Sequence, residues 1–185
     1  MTDPEIIDNI RSGNTQAFQL LVERHREMVF RTAMGFVHVK EEAEDIAQEV
    51  FISVFRSMSQ FSGQSEFSTW LYRIVVNTSL NQLRKKKRQE WLQSAGDALT
   101  QVFERATDDK NPEQTMLEEE RDRAVRRAID SLSKKQRTAL ILQKYDELSQ
   151  REIAEIMQIS EGAVEQHLQR ARQNLQKKLA PLVGK

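Results

Sequence analysis

The strongest constraint on this chain is the spacing of caps and apolar residues between Ser149 and Leu179. Ser149 precedes Glu152 by three residues, the pattern in which each side chain satisfies an orphan backbone amide at a helix start. The helix so opened runs to Met157, Gln158 and Ile159 follow, and Ser160 can cap a second helix from Glu161. Ile153, Ile156, Ile159, Val164, Leu168, Ala171 and Leu175 give the pair a shared core, while Ala154 and either Ala163 or Val164 are small enough for a steep crossing. The spacing predicts a helix-turn-helix. Its second helix exposes Glu161, Glu165, Gln166, Gln169, Arg170, Arg172 and Gln173. A helix fits the major groove of duplex DNA, where Gln and Arg make paired contacts to adenine and guanine edges. An ordinary helical hairpin with a polar face is the competing reading.

Helical signals continue through the rest of the chain, and the expected fold class is all-α. Glycine (6) and proline (3) are too scarce for a turn-rich sheet protein of 185 residues. Asp3-Pro4 reads as an N-cap with proline in the first turn of a short helix to Arg11, which Ser12-Gly13-Asn14 breaks. Apolar residues then recur at helical spacing from Thr15 to Val37, from Lys40 to Met58, and from Phe67 to Leu83. The last of these runs into five basic residues, Arg84 to Arg88. Order fades between residues 89 and 115. The chain therefore divides into two small helical domains, 1–90 and 114–185, joined by a flexible acidic linker at 91–113. Ser133 with Gln136 repeats the capping-box spacing in the second domain.

Net charge is zero, yet its distribution is uneven. Residues 1–65 carry 6 basic and 10 acidic side chains, 66–88 carry 6 and 1, 89–122 carry 3 and 10, and 123–185 carry 13 and 7. Two basic blocks thus alternate with two acidic ones. Attraction to phosphate decays over about 10 Å at ordinary salt, so each basic block acts on its own. No cysteine is present, which excludes disulfides and thiolate metal sites. Met1 to Arg11 is too polar for a signal peptide and no apolar run has membrane-spanning length, so a cytoplasmic location is expected.

Three blocks, in this order, resemble the RNA polymerase sigma factors of the extracytoplasmic-function (ECF) group of the sigma-70 family: Glu44 to Phe51, Phe67 to Asn77, and Leu148 to Arg172. The likeness spans about residues 10 to 180. It implies that Asp45, Gln48 and Glu49 dock on the clamp coiled coil of the largest subunit of core polymerase. An acidic and amide face suits a basic coiled coil. Phe51 and Phe55 are expected in the core instead. The resemblance further implies that the second block reads and melts the −10 element as single-stranded DNA. The loop from Phe61 through Ser62, Gly63 and Gln64 to Glu66 would form the pocket for a flipped base, with Asn77 lining it. Arg73, Arg84, Lys85, Lys86 and Lys87 would hold the strand and its phosphates. Trp70 could stack on a base or pack in the core, and Tyr72 is expected to be exposed toward the strand.

The third block would read duplex DNA at −35 through Glu165, Gln166, Gln169, Arg170 and Arg172. Glu165 is unusual, since a carboxylate is repelled by phosphates; it either accepts from a cytosine amine or points aside. The acidic linker is compatible with threading into the polymerase cleft and with a plain spacer. An anti-sigma factor is an implied partner, and no cofactor or metal is expected. His25, His38 and His167 are far apart and form no catalytic or metal constellation, so an enzyme is disfavoured. A conventional repressor or activator needs only the helix-turn-helix and leaves the 66–88 block unexplained.

Overall fold

The computed structural model describes residues 1–97 and 113–183. All regular structure among them is helical. Helices α1 (Asp3–Arg11), α2 (Gln16–Val37), α3 (Lys40–Ser57) and α4 (Phe67–Asp97) form the first bundle, with a 3-10 turn at Met58–Gln60. Helices α5 (Glu113–Asp130), α6 (Lys134–Lys144), α7 (Gln150–Met157) and α8 (Glu161–Val183) form the second. In the first bundle α2, α3 and α4 pack on one another; in the second α8 is the shared partner of α5, α6 and α7. Sequence residues 98–112, the bulk of the expected linker, lie outside the described residues.

Caps explain most of the boundaries. Ser133 and Ser149 are both N-caps in extended conformation, each with its reciprocal Gln136 or Glu152 in place. Ser160 accepts from the Ala163 amide at 3.2 Å. At the N-terminus the cap is Thr2, not Asp3: the Thr2 amide donates to Glu5 Oε2 at 2.6 Å. Asp3 is thereby freed to bind sideways, its carboxylate meeting Arg24 and, at 2.8 Å, His25 Nε2 on α2. Two non-glycine residues end helices in the left-handed region, His38 (φ 59°) after α2 and Gln158 (φ 55°) after α7. Helix α4 also outruns the expected linker start, continuing to Asp97. Gln89, Glu90, Leu92 and Gln93 are good helix formers, and no glycine or proline intervenes before Gly96.

Among the described residues, the larger of two apolar clusters crosses from bundle to bundle, and a smaller one, Ile129, Leu132, Leu140 and Ala171, lies within the second bundle. Leu21, Val29, Phe36, Val50, Val54, Leu71 and Val75 of the first are fully buried, as are Ile141, Leu142, Ile153 and Val164 of the second. Each such side chain contributes about 1.5–3 kcal/mol. The helix-turn-helix core is as read from the sequence, with Ile159 and Leu175 only partly covered.

The Ser149 cap yields a testable pH dependence. Hydrogen bonds from the Ser149 hydroxyl and amide hold the Glu152 carboxyl below its ordinary pKa. A depressed folded-state pKa stabilises above the unfolded value, and that contribution is lost as pH falls through the folded one. Ser149→Ala is expected to cost about 1 kcal/mol near neutrality, read from urea midpoints. The gap between variant and wild type should narrow in acid; a gap unchanged down to pH 3 would refute the coupling.

Candidate nucleic-acid interface

Three faces carry the residues singled out by sequence. On the outer side of α3, Asp45, Gln48 and Glu49 are all exposed, and their i, i+3, i+4 spacing puts them on one stripe. Next to them Phe55 is 49% exposed and Ile52 43%, and with Phe18, Val22 and Phe51 they line an apolar groove rimmed by Gln48 and Arg56. This corrects the expectation that Phe55 is a core residue, whereas Phe51 is half-buried and packs against the core. Phe55 rests edge-on against Phe18, centroids 5.1 Å apart, and no described element covers its outer face. A helical period alone cannot separate such a rim from the core, because both lie on the apolar side.

The second face joins the 61–66 loop to α4. Phe61 is buried in an aromatic cluster, 5.7 Å from Phe67 and 5.2 Å from Trp70 between centroids. Trp70 is half-buried and packs; of the two roles open to it, the structure shows this one. Ser62, Gly63 and Gln64 are exposed, with Gly63 at φ +73°, where a side chain would strain the backbone. Gly63 to Phe67 and α1 residues Pro4, Ile7, Asp8 and Arg11 enclose a depression of about 360 Å³. The Arg11 guanidinium ties α1 to the loop by donating to the Phe61 carbonyl. Sequence reasoning left α1 out of this site, since its short polar helix gave no signal beyond a cap.

Asn77 does not share that depression. Ten residues of helix carry it about 15 Å along α4 from Phe67. There it joins Arg73, Val76 and Leu80 in a separate cleft of about 230 Å³, closed by Lys134, Lys135, Thr138 and Ile156 to Ile159 of the second bundle. Tyr72, expected to be exposed, is 7% exposed. The turn after α6 lies over it, and burial, with Asp146 as the next cause, pushes its phenol up to about 12. Arg73 donates to the Glu155 carbonyl on α7 at 2.8 Å. Farther along, Arg84, Lys85 and Lys87 are exposed, whereas Lys86 Nζ is paired with Glu42 Oε1 of α3 at 2.6 Å.

The third face is α8. Glu165, Gln166, Gln169 and Arg170 are exposed on one side of it. Arg172 turns toward α6, donating to Gln143 Oε1 at 2.9 Å. His167 is half-buried, its pKa lowered by burial first and then by Lys135 and Arg170. Among the described residues no group of three or more His, Asp and Glu is placed to hold a metal ion, and no helix is long and apolar enough to cross a membrane.

The family model for Sigma-70 region 2 matches residues 21–89, and that for Sigma-70 region 4 matches residues 122–175. Across 98% of its length the chain is 36% identical to the RNA polymerase sigma-H factor of Pseudomonas aeruginosa, covering 95% of it. The chain belongs to the sigma-70 family, in its ECF group. It is equally 36% identical, over 99% of its length, to the ECF RNA polymerase sigma-E factor of Escherichia coli, of which 97% is covered. This sigma factor functions in promoter-specific transcription initiation with RNA polymerase. Its fold is similar to that of CnrH in complex with the cytosolic domain of CnrY, with a TM-score of 0.68, 24% identity and 97% of both chains covered. It is similar also to the sigma factor RpoE of Bartonella quintana in complex with the anti-sigma factor NepR, at a TM-score of 0.62 and 24% identity over 90% of this chain and 98% of the other.

Proposed function

We propose that this cytoplasmic, non-enzymatic factor docks its α3 face on the clamp coiled coil of core polymerase and reads the promoter at two separate places. The observation that carries this reading is the separation of three chemically distinct faces on one small chain. An acidic stripe beside an apolar groove suits a basic, partly apolar coiled coil. An open helix face bearing Gln166, Gln169 and Arg170 suits the major groove at −35. The 61–66 loop, with its depression, and the basic length of α4 suit a melted −10 strand, the loop taking a flipped base and Arg73, Arg84, Lys85 and Lys87 holding phosphates. An anti-sigma factor is a further partner, in keeping with the complex in which the Bartonella quintana sigma factor was solved.

Run-off transcription with core polymerase over a promoter library tests the whole. Productive, sequence-dependent initiation is expected, and failure to direct any initiation would overturn the proposal. In the same assay Glu165→Ala should relax preference at one −35 base pair by about tenfold, the share of a single good base contact. Arg170→Ala should lower promoter use and flatten the salt dependence. Selectivity unchanged across every single-base variant would remove Glu165 from the base-reading set.

A further inference from the structure

The depression beside the 61–66 loop has one wall that the loop does not supply. Helix α1 forms it, and α1 is held at both ends. At its start the Asp3 carboxylate is taken up by Arg24 and His25 of α2. At its finish the Arg11 guanidinium donates to the Phe61 carbonyl at the head of the loop. Between these ties Ile6 and Ile7 are buried, so α1 is a fixed side of the hollow and not a loose arm. Ile7, Phe61 and Phe67, all buried, give the depression an apolar floor. Such a floor receives the flat face of a base.

The rim above that floor is polar and biased in sign. Asp8 from α1 and Glu66 from the loop are exposed on it, while Arg11 is already engaged with Phe61. Asp8 has a loose tie to Arg11 Nη1 at 3.8 Å, and its side chain is 78% exposed. A carboxylate only accepts hydrogen bonds, and it repels phosphate. The rim therefore holds the strand's backbone off and favours a base edge that brings an amine. Cytosine, adenine and guanine each carry an exocyclic amine, whereas thymine offers a single ring N–H between two carbonyl oxygens. We infer that Asp8 of α1 is a specificity-determining residue of the −10 capture site, accepting from the exocyclic amine of the flipped base and selecting against thymine. The inference rests on the proposed capture of a flipped base by the 61–66 loop, to which it adds a residue from outside the loop. Arg11 is a positioning residue: reaching both Phe61 and Asp8, it keeps the α1 wall beside the loop.

The test uses the full-length factor with core polymerase, on promoters that carry each of the four bases in turn at every position of the −10 element. The wild type is expected to disfavour thymine at the captured position by about tenfold, the share of a single base contact. Asp8→Asn keeps the side chain's shape at an exposed site, and its new amide can donate to thymine O4. In that variant the thymine penalty should fall to near parity at the captured position and stay unchanged at every other. Arg11→Ala, which unties the wall, should shrink the same penalty and only that one. A penalty equal in wild type and Asp8→Asn would overturn the role of Asp8. So would a loss of initiation spread evenly over all promoters, which is what a merely structural residue would give. An unchanged penalty in Arg11→Ala would remove Arg11 from positioning. Failure of base capture itself shows separately, as a wild type that initiates with no base preference at any −10 position.

Discussion

Replacing Asp45 and Gln48 together by alanine is expected to weaken binding to core polymerase by about thirty- to a hundredfold, as loss of two interfacial hydrogen bonds, one of them charged, would do. Both side chains project from α3 into solvent and contribute nothing to the cluster beneath them, so the variant should fold and melt like the wild type. Fluorescence anisotropy of labelled factor titrated with core polymerase gives the comparison. Phe55→Ala is the companion experiment, because an aromatic ring 49% exposed beside Phe18 is available to a partner at small cost to folding. A double variant that binds core polymerase as tightly as the wild type would remove α3 from the docking surface.

The largest effect on stability is expected at Phe36. Its ring is fully buried near the C-terminal end of α2, the Arg137 guanidinium lies 5.9 Å from the ring centroid, and its own carbonyl accepts from that same guanidinium. Phe36→Ala would leave a cavity where both bundles meet, at a cost of about 3–5 kcal/mol. That is a large part of the 5–15 kcal/mol typical of a domain this size. Guanidinium unfolding followed by far-UV circular dichroism measures it. Phe36→Leu, which refills much of the space, should lose less than half as much. A loss below 1 kcal/mol for the alanine variant would mean that the packing at this position is not as tight as the structure indicates.

Much of this was written in local patterns. Ser133, Ser149 and Ser160 mark three helix starts because capping depends on residues only three apart, and period 3.6 sorts Ile46, Val50 and Val54 from Asp45, Gln48 and Glu49. What the sequence could not convey is how separate elements meet. Tyr72 looks like an exposed aromatic on α4 until the distant turn carrying Asp146 is laid over it. Asn77 and the 61–66 loop are close in sequence yet line different hollows, since a straight helix carries one away from the other. Phe55 obeys the core pattern but has no described element above it. Gly35, unremarkable in the helical period, becomes intelligible only once Ile141 is placed against it.

The two tryptophans sit in opposite surroundings: Trp70 is wedged between Phe61 and Phe67 within the first bundle, while Trp91 stands 69% exposed near the end of α4. Their emission spectra therefore differ without any label, one shifted to the blue and slow to quench with acrylamide, the other red-shifted and readily quenched. Strand capture around the 61–66 loop alters the first and leaves the second as an internal reference. The chain thus carries a built-in ratiometric signal, by which base capture can be timed in a stopped-flow instrument on the unmodified protein.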